Sequence, residues 1–137
     1  MKTVFVDSSV LLSAVNSPIG GSTKLFTLTK ISLITSRVIL TETERNIRAK
    51  LESYHLERFF KLVGKMTIAD HLSKEQLIKK AKKIIAEKDA VILAEAKEAA
   101  VDFLITLDKK HFLTDQVSNF LKPKKVLIPK MLLNKDY

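Results

Sequence analysis

The chain has 137 residues, 46% hydrophobic and 28% charged, a length and balance suited to one domain that buries its own core and far from the composition of disordered chains. It contains no cysteine, which excludes disulfides, thiolate catalysis and sulfur-ligated zinc or iron. Its 24 Lys and Arg against 15 Asp and Glu give a formal charge of +9 and a pI near 9.8, a surplus that serves solubility and equally suits a polyanionic partner, nucleic acid first.

Val4-Phe5-Val6 reads as a short buried strand. The apolar run stops at Asp7, so the start lacks the continuous apolar core and small-residue cleavage site of a signal peptide. Ser8 or Ser9 can cap a helix to about Val15, ended by Asn16-Ser17-Pro18 and the Gly20-Gly21 turn. Ser22 to about Lys30 reads as a second helix, Ile31-Ser32-Leu33-Ile34 as a strand, and Ser36 as the cap of a third helix reaching about Ser53. Ser73-Lys74-Glu75-Gln76 has the form of a capping box opening a lysine-rich helix, with Leu77, Ala81, Ile84 and Ile85 on its buried side. Asp89 precedes Ala90-Val91-Ile92-Leu93-Ala94, a helix apolar on most sides and therefore central. Phe103-Leu104-Ile105 and Val126-Leu127-Ile128 complete the strands.

Strands alternating with helices indicate an α/β domain, and strands apolar throughout indicate helices on both sheet faces. The expected fold is a three-layer α/β/α domain spanning residues 1–137, with a mostly parallel central sheet of four to five strands. No apolar stretch approaches the roughly 18 residues that cross a bilayer, so a cytoplasmic protein without a membrane partner is expected.

In open α/β sheets, ligands bind at the carboxyl ends of the strands. Asp7 follows the first strand directly, and Asp108 comes just after Phe103-Leu104-Ile105-Thr106. An aspartate in such a place also suits a helix N-cap, and Asp89 before its apolar helix shares that ambiguity. Carboxylates converging on one crevice repel one another and drive their pKa values up unless a cation neutralises them. Oxygen ligands of this kind suit Mg2+ or Mn2+.

Val4 to Leu11, Ser36 with Glu42 six residues on, Asp89 to Ala94 and Leu104-Ile105-Thr106-Leu107-Asp108 together resemble, in order and spacing, the motifs of PIN-domain ribonucleases, which include the VapC-type toxins of toxin–antitoxin modules. The resemblance runs from residue 4 to about residue 112. It implies that Asp7, Glu42, Asp89 and Asp108 form the acidic cluster, with Thr106 beside it, holding one or two divalent ions that activate water for phosphodiester cleavage. Where the family usually shows Asp-Thr-Asn or Asp-Thr-Ser, this chain has Asp7-Ser8-Ser9, so any hydrogen bond supplied there by asparagine must come from Ser9 or be absent. Helical periodicity leaves both Glu42 and Glu44 open as the second acid. The spacing from Ser36, and Asn46 four residues after Glu42, resemble the family better with Glu42; Glu44 is held in reserve.

Asp102 reads as a helix end, and Asp70, Asp115 and Asp136 as turn or surface residues. His55, His71 and His111 show no ligand spacing, which speaks against a histidine-based centre. Lysine runs such as 79–83 and 122–125 read as solvated faces. Lys109 and Lys110 adjoin Asp108 and suit contact with a phosphate backbone, whereas the few aromatics argue against base stacking.

The expected function is hydrolysis of RNA by a Mg2+- or Mn2+-dependent endoribonuclease, with DNA not separated from RNA by these residues. The resemblance further implies a homodimer and an antitoxin as partners. Two alternatives differ in class. One is a nucleic-acid-binding or regulatory module of the same fold with little or no turnover. The other is a phosphate-handling enzyme with Asp7 as nucleophile, which wants a second aspartate where Ser9 stands.

Overall fold

The computed structural model describes residues 1–69 and 73–134; Asp70, His71 and Asp136 lie outside them. Five strands, β1 (Lys2–Val6), β2 (Ile31–Ser36), β3 (Thr67–Ala69), β4 (Phe103–Ile105) and β5 (Lys125–Leu127), form one sheet in the order β3-β2-β1-β4-β5, parallel at every pairing. Around it lie α1 (Ser8–Asn16), α2 (Gly21–Leu25), α3 (Arg37–Lys50), α4 (Ser53–Val63), α5 (Glu75–Lys82), α6 (Glu87–Glu98), α7 (Lys109–Phe112), α8 (Asp115–Leu121) and α9 (Pro129–Leu133). Val4, Phe5 and Val6 of the central strand are fully buried, as expected of an apolar strand covered on both faces.

The strand order positions the site. From β1 the chain moves outward through β2 to β3, then returns to the other side of β1 as β4 and continues to β5. The order therefore reverses between β1 and β4, and ligands of open α/β sheets bind at such a reversal, beyond the carboxyl ends of the strands. Asp7 and Asp108 stand at those two ends.

Several local expectations are corrected. Asp7, not Ser8 or Ser9, is the N-cap of α1, accepting the Ser8 N–H at 2.8 Å. The second helix stops at Leu25, and Thr27 turns its hydroxyl onto the Lys24 carbonyl at 2.7 Å, a local bond that competes with helix continuation. Ser36 does cap α3, but that helix ends at Lys50 and a separate α4 follows. The start of α4 is marked by His55, whose Nδ1 accepts the Glu52 N–H at 3.1 Å, a bond that a search for Glu or Gln in that place overlooks.

The capping box at Ser73 does not form. Lys74 is the N-cap of α5, without a side-chain bond, and its N–H donates at 3.1 Å to Glu98 of α6. A tertiary partner thus satisfies a donor at the helix start. Asp89 is not a cap either: α6 starts at Glu87 behind Ala86, so Asp89 lies within its first turn, where a carboxylate meets the positive end of the helix dipole. The short strand β3 was not anticipated. Its residues are exposed or half-buried, so it lacks the apolar run that marks the other strands.

Candidate active site

Asp7 leaves β1 with its amide donating to the Ile105 carbonyl at 3.0 Å, which locks it beside the end of β4. Three donors anchor its carboxylate. Oδ1 accepts the Ser8 amide at 2.8 Å, and Oδ2 accepts the hydroxyls of Ser9 at 2.9 Å and Thr106 at 2.8 Å. Ser9 also accepts the Leu107 N–H at 3.0 Å. The serine therefore ties Asp7 to the loop after β4.

Thr106 is fully buried and accepts the Asp108 N–H at 3.1 Å while donating to Asp7. Asp108 then caps α7, accepting the His111 N–H at 3.1 Å, and its two oxygens lie 3.0 and 2.9 Å from His111 Nδ1. One hydroxyl, on Thr106, thus sets the spacing between the acids of two neighbouring strands.

Glu42 and Asp89 approach the same point from α3 and α6. Burial pushes the Glu42 carboxyl above its ordinary value, the charges of Asp7 and Asp89 push it further, and Ser8 and Lys88 pull back. Burial also raises Asp89, with the charges of Asp7 and Asp108 adding to it and Lys88 and His111 opposing. Asp89 Oδ2 is buried without a hydrogen-bond partner. Such an orphaned oxygen is costly and wants a cation or a proton.

Glu44 faces elsewhere. It pairs with Arg48 at 3.1 Å and, with Leu40, Phe59, Phe60 and Val63, lines a cleft between α3 and α4. Asn46 donates its Nδ2 to the Glu42 backbone carbonyl at 3.1 Å. Asp102 sits at the amino end of β4, accepting the Thr3 N–H at 2.9 Å, the opposite end of the sheet. Lys109 and Lys110 are exposed on α7. Beside Glu42 a cleft of about 490 Å³ is lined by Arg37, Val38, Thr41, Arg45 and Lys88, a basic rim whose residues come from two helices.

Residues 4–116 match the model of the PIN domain family. The chain belongs to the PIN domain family. No curated protein is significantly similar in sequence. Among solved structures, VapBC2 from Rickettsia felis, bound to a DNA fragment from their promoter, matches with a TM-score of 0.72 at 13% identity, over 92% of this chain and 98% of that one. DNA-bound VapBC from Salmonella typhimurium matches with a TM-score of 0.72 at 11% identity, over 94% and 99%. The sarcin-ricin loop cleaving toxin VapC20 of Mycobacterium tuberculosis matches with a TM-score of 0.58 at 15% identity, over 78% and 91%. The PIN domain here thus has the α/β/α fold of VapC proteins.

The donor set of this PIN domain suits a divalent ion. Hard carboxylate oxygens dominate, one of them is buried and unpartnered, and two of the acids resist ionisation without a countercharge. His111 is the residue that sequence reasoning passed over. Its three-residue spacing from Asp108 was the available signal, since one turn of helix brings such side chains together.

Proposed function

We propose that this PIN-domain chain is a divalent-metal-dependent endoribonuclease. The observation that carries the proposal is the approach of Asp89 and Asp108, with carboxylate oxygens within 4.8 Å of each other beside the reversal of strand order, where the charge of Asp7 acts on Glu42 and Asp89 and one buried Asp89 oxygen lacks a hydrogen-bond partner. Asp7, Glu42, Asp89 and Asp108 would hold Mg2+ or Mn2+. When bound, the ion supplies charge neutralisation at the phosphate and a water of lowered pKa.

The chain's own residues supply placement. Ser9 and Thr106 fix the Asp7 carboxylate, and Thr106 fixes the loop that carries Asp108. Arg45 and Lys88 on the rim beside Glu42, with Lys109 and Lys110 on α7, offer cations to a phosphodiester backbone. Water attacks phosphorus, the P–O bond to the leaving nucleoside breaks, and the leaving oxygen takes up a proton. No protein nucleophile takes part. RNA is favoured as substrate by the fold shared with a toxin that cleaves the sarcin-ricin loop, and an antitoxin partner by the fold shared with VapBC assemblies. A homodimer in the cytoplasm completes the proposed setting.

The test is cleavage of a panel of labelled RNAs in Mg2+, Mn2+ or EDTA, with Asp7→Asn and Asp89→Asn as controls. Cleavage that needs metal and disappears in both variants supports the proposal. Activity that survives EDTA and both substitutions sinks it, and metal-independent RNA binding without cleavage replaces it with a binding module.

A further inference from the structure

We propose that His111 joins Asp89 and Asp108 as a metal ligand, turning an all-oxygen centre into a mixed nitrogen–oxygen one that selects transition-metal ions over Mg2+. This rests on the metal-binding reading above and deepens it. One ring nitrogen of His111 and one carboxylate oxygen from each of Asp89 and Asp108 lie within 4.8 Å of one another. Ligands facing each other across an ion, with bonds of about 2.1 Å, stand about 4.2 Å apart. Side-chain shifts of well under an ångström therefore bring all three onto one ion.

The surroundings favour that closure. Asp108 caps α7 through the His111 amide, so the imidazole is delivered against the carboxylate by the same turn that positions it. On the other side stands Asp89, whose buried Oδ2 has no partner. The imidazole remains 43% exposed, which leaves it room to reorient. His55 is committed elsewhere, accepting the Glu52 amide. Carboxylates and water suit Mg2+, whereas an imidazole nitrogen shifts preference towards Mn2+, Co2+, Ni2+ and Zn2+.

The full chain, stripped of metal and loaded with Mn2+, is examined by pulsed EPR. Wild type shows nitrogen modulation from a coordinated imidazole, and His111→Ala and His111→Asn lack it. His111→Asn retains a side chain able to bond Asp108, and circular dichroism verifies the fold of both variants. In equilibrium titrations, either substitution weakens Ni2+ binding about 10- to 100-fold, while Mg2+ binding changes by less than about threefold.

Absence of nitrogen modulation in wild type, or equal weakening of Ni2+ and Mg2+, overturns the inference. If RNA is still cleaved with Mg2+ or Mn2+, the nuclease proposal stands without it. Nitrogen coordination in a protein that cleaves no RNA upholds the inference and counts against the nuclease proposal. A wild-type chain that binds none of these ions overturns both.

Discussion

Thr106 and Asp7 are joined by a 2.8 Å hydrogen bond between side chains at the carboxyl ends of adjacent strands. The bond fixes the Asp7 carboxylate, and the same hydroxyl accepts the amide of Asp108. A buried threonine at that place therefore positions both Asp7 and Asp108.

Replacing it with an isostere isolates that role. Thr106→Val keeps the shape but removes both bonds, leaving a buried carboxylate oxygen short of one donor. Stability falls by about 1–3 kcal/mol, read from urea unfolding, and RNA cleavage falls about 10- to 100-fold. Thr106→Ser restores most of both. Cleavage by Thr106→Val at the wild-type rate contradicts this role.

Glu42 and Glu44 lie two residues apart on α3 and face different neighbours. Glu42→Gln removes a charge beside Asp7 and Asp89 and lowers Mn2+ affinity about tenfold or more. Glu44→Gln breaks only the partly exposed pair with Arg48, costs under about 1 kcal/mol, and leaves metal binding and cleavage unchanged. A larger loss of cleavage from Glu44→Gln would make it the second acid after all.

Metal-free stability depends on pH in a sense set by Glu42 and Asp89, whose carboxyls are both raised by burial and neighbouring acids. The folded state holds these protons more tightly than the unfolded chain, so stability is lost as pH rises from about 4, the ordinary carboxylate value, through the raised folded values. Asp89→Asn removes one such penalty. In EDTA the variant matches wild type near pH 4 and becomes the more stable of the two by pH 7, read as the higher Tm. Mn2+ reverses the order, because it stabilises wild type preferentially. A variant less stable than wild type at every pH in EDTA contradicts the raised Asp89 value.

The sequence by itself determined the sheet and its acids to a large extent. Short apolar runs rich in β-branched and aromatic residues, such as Val4-Phe5-Val6 and Phe103-Leu104-Ile105, mark buried strands, because a strand covered on both faces is apolar throughout. An aspartate at the end of such a run is conspicuous for the same reason. Asp7 and Asp108 were therefore visible early.

Contacts between elements distant in the chain were decided only by the tertiary structure. Ser73 lost its capping role because Glu98, 24 residues from Lys74, satisfies the helix start. Periodicity left Glu42 and Glu44 equal because a helical wheel shows relative faces but not which face meets the end of β1. Asp89 looked like a cap because nothing local reveals that α6 begins at Glu87. His111 looked isolated because its significance lies in Asp89, brought to it across the sheet end from another helix. Residue type and local pattern thus announced which side chains could carry charge at strand ends. Packing across 99 residues, as between Asp7 and Thr106, decided which of them meet, because hydrogen bonds and charge repulsion depend on distances in space that sequence separation does not encode.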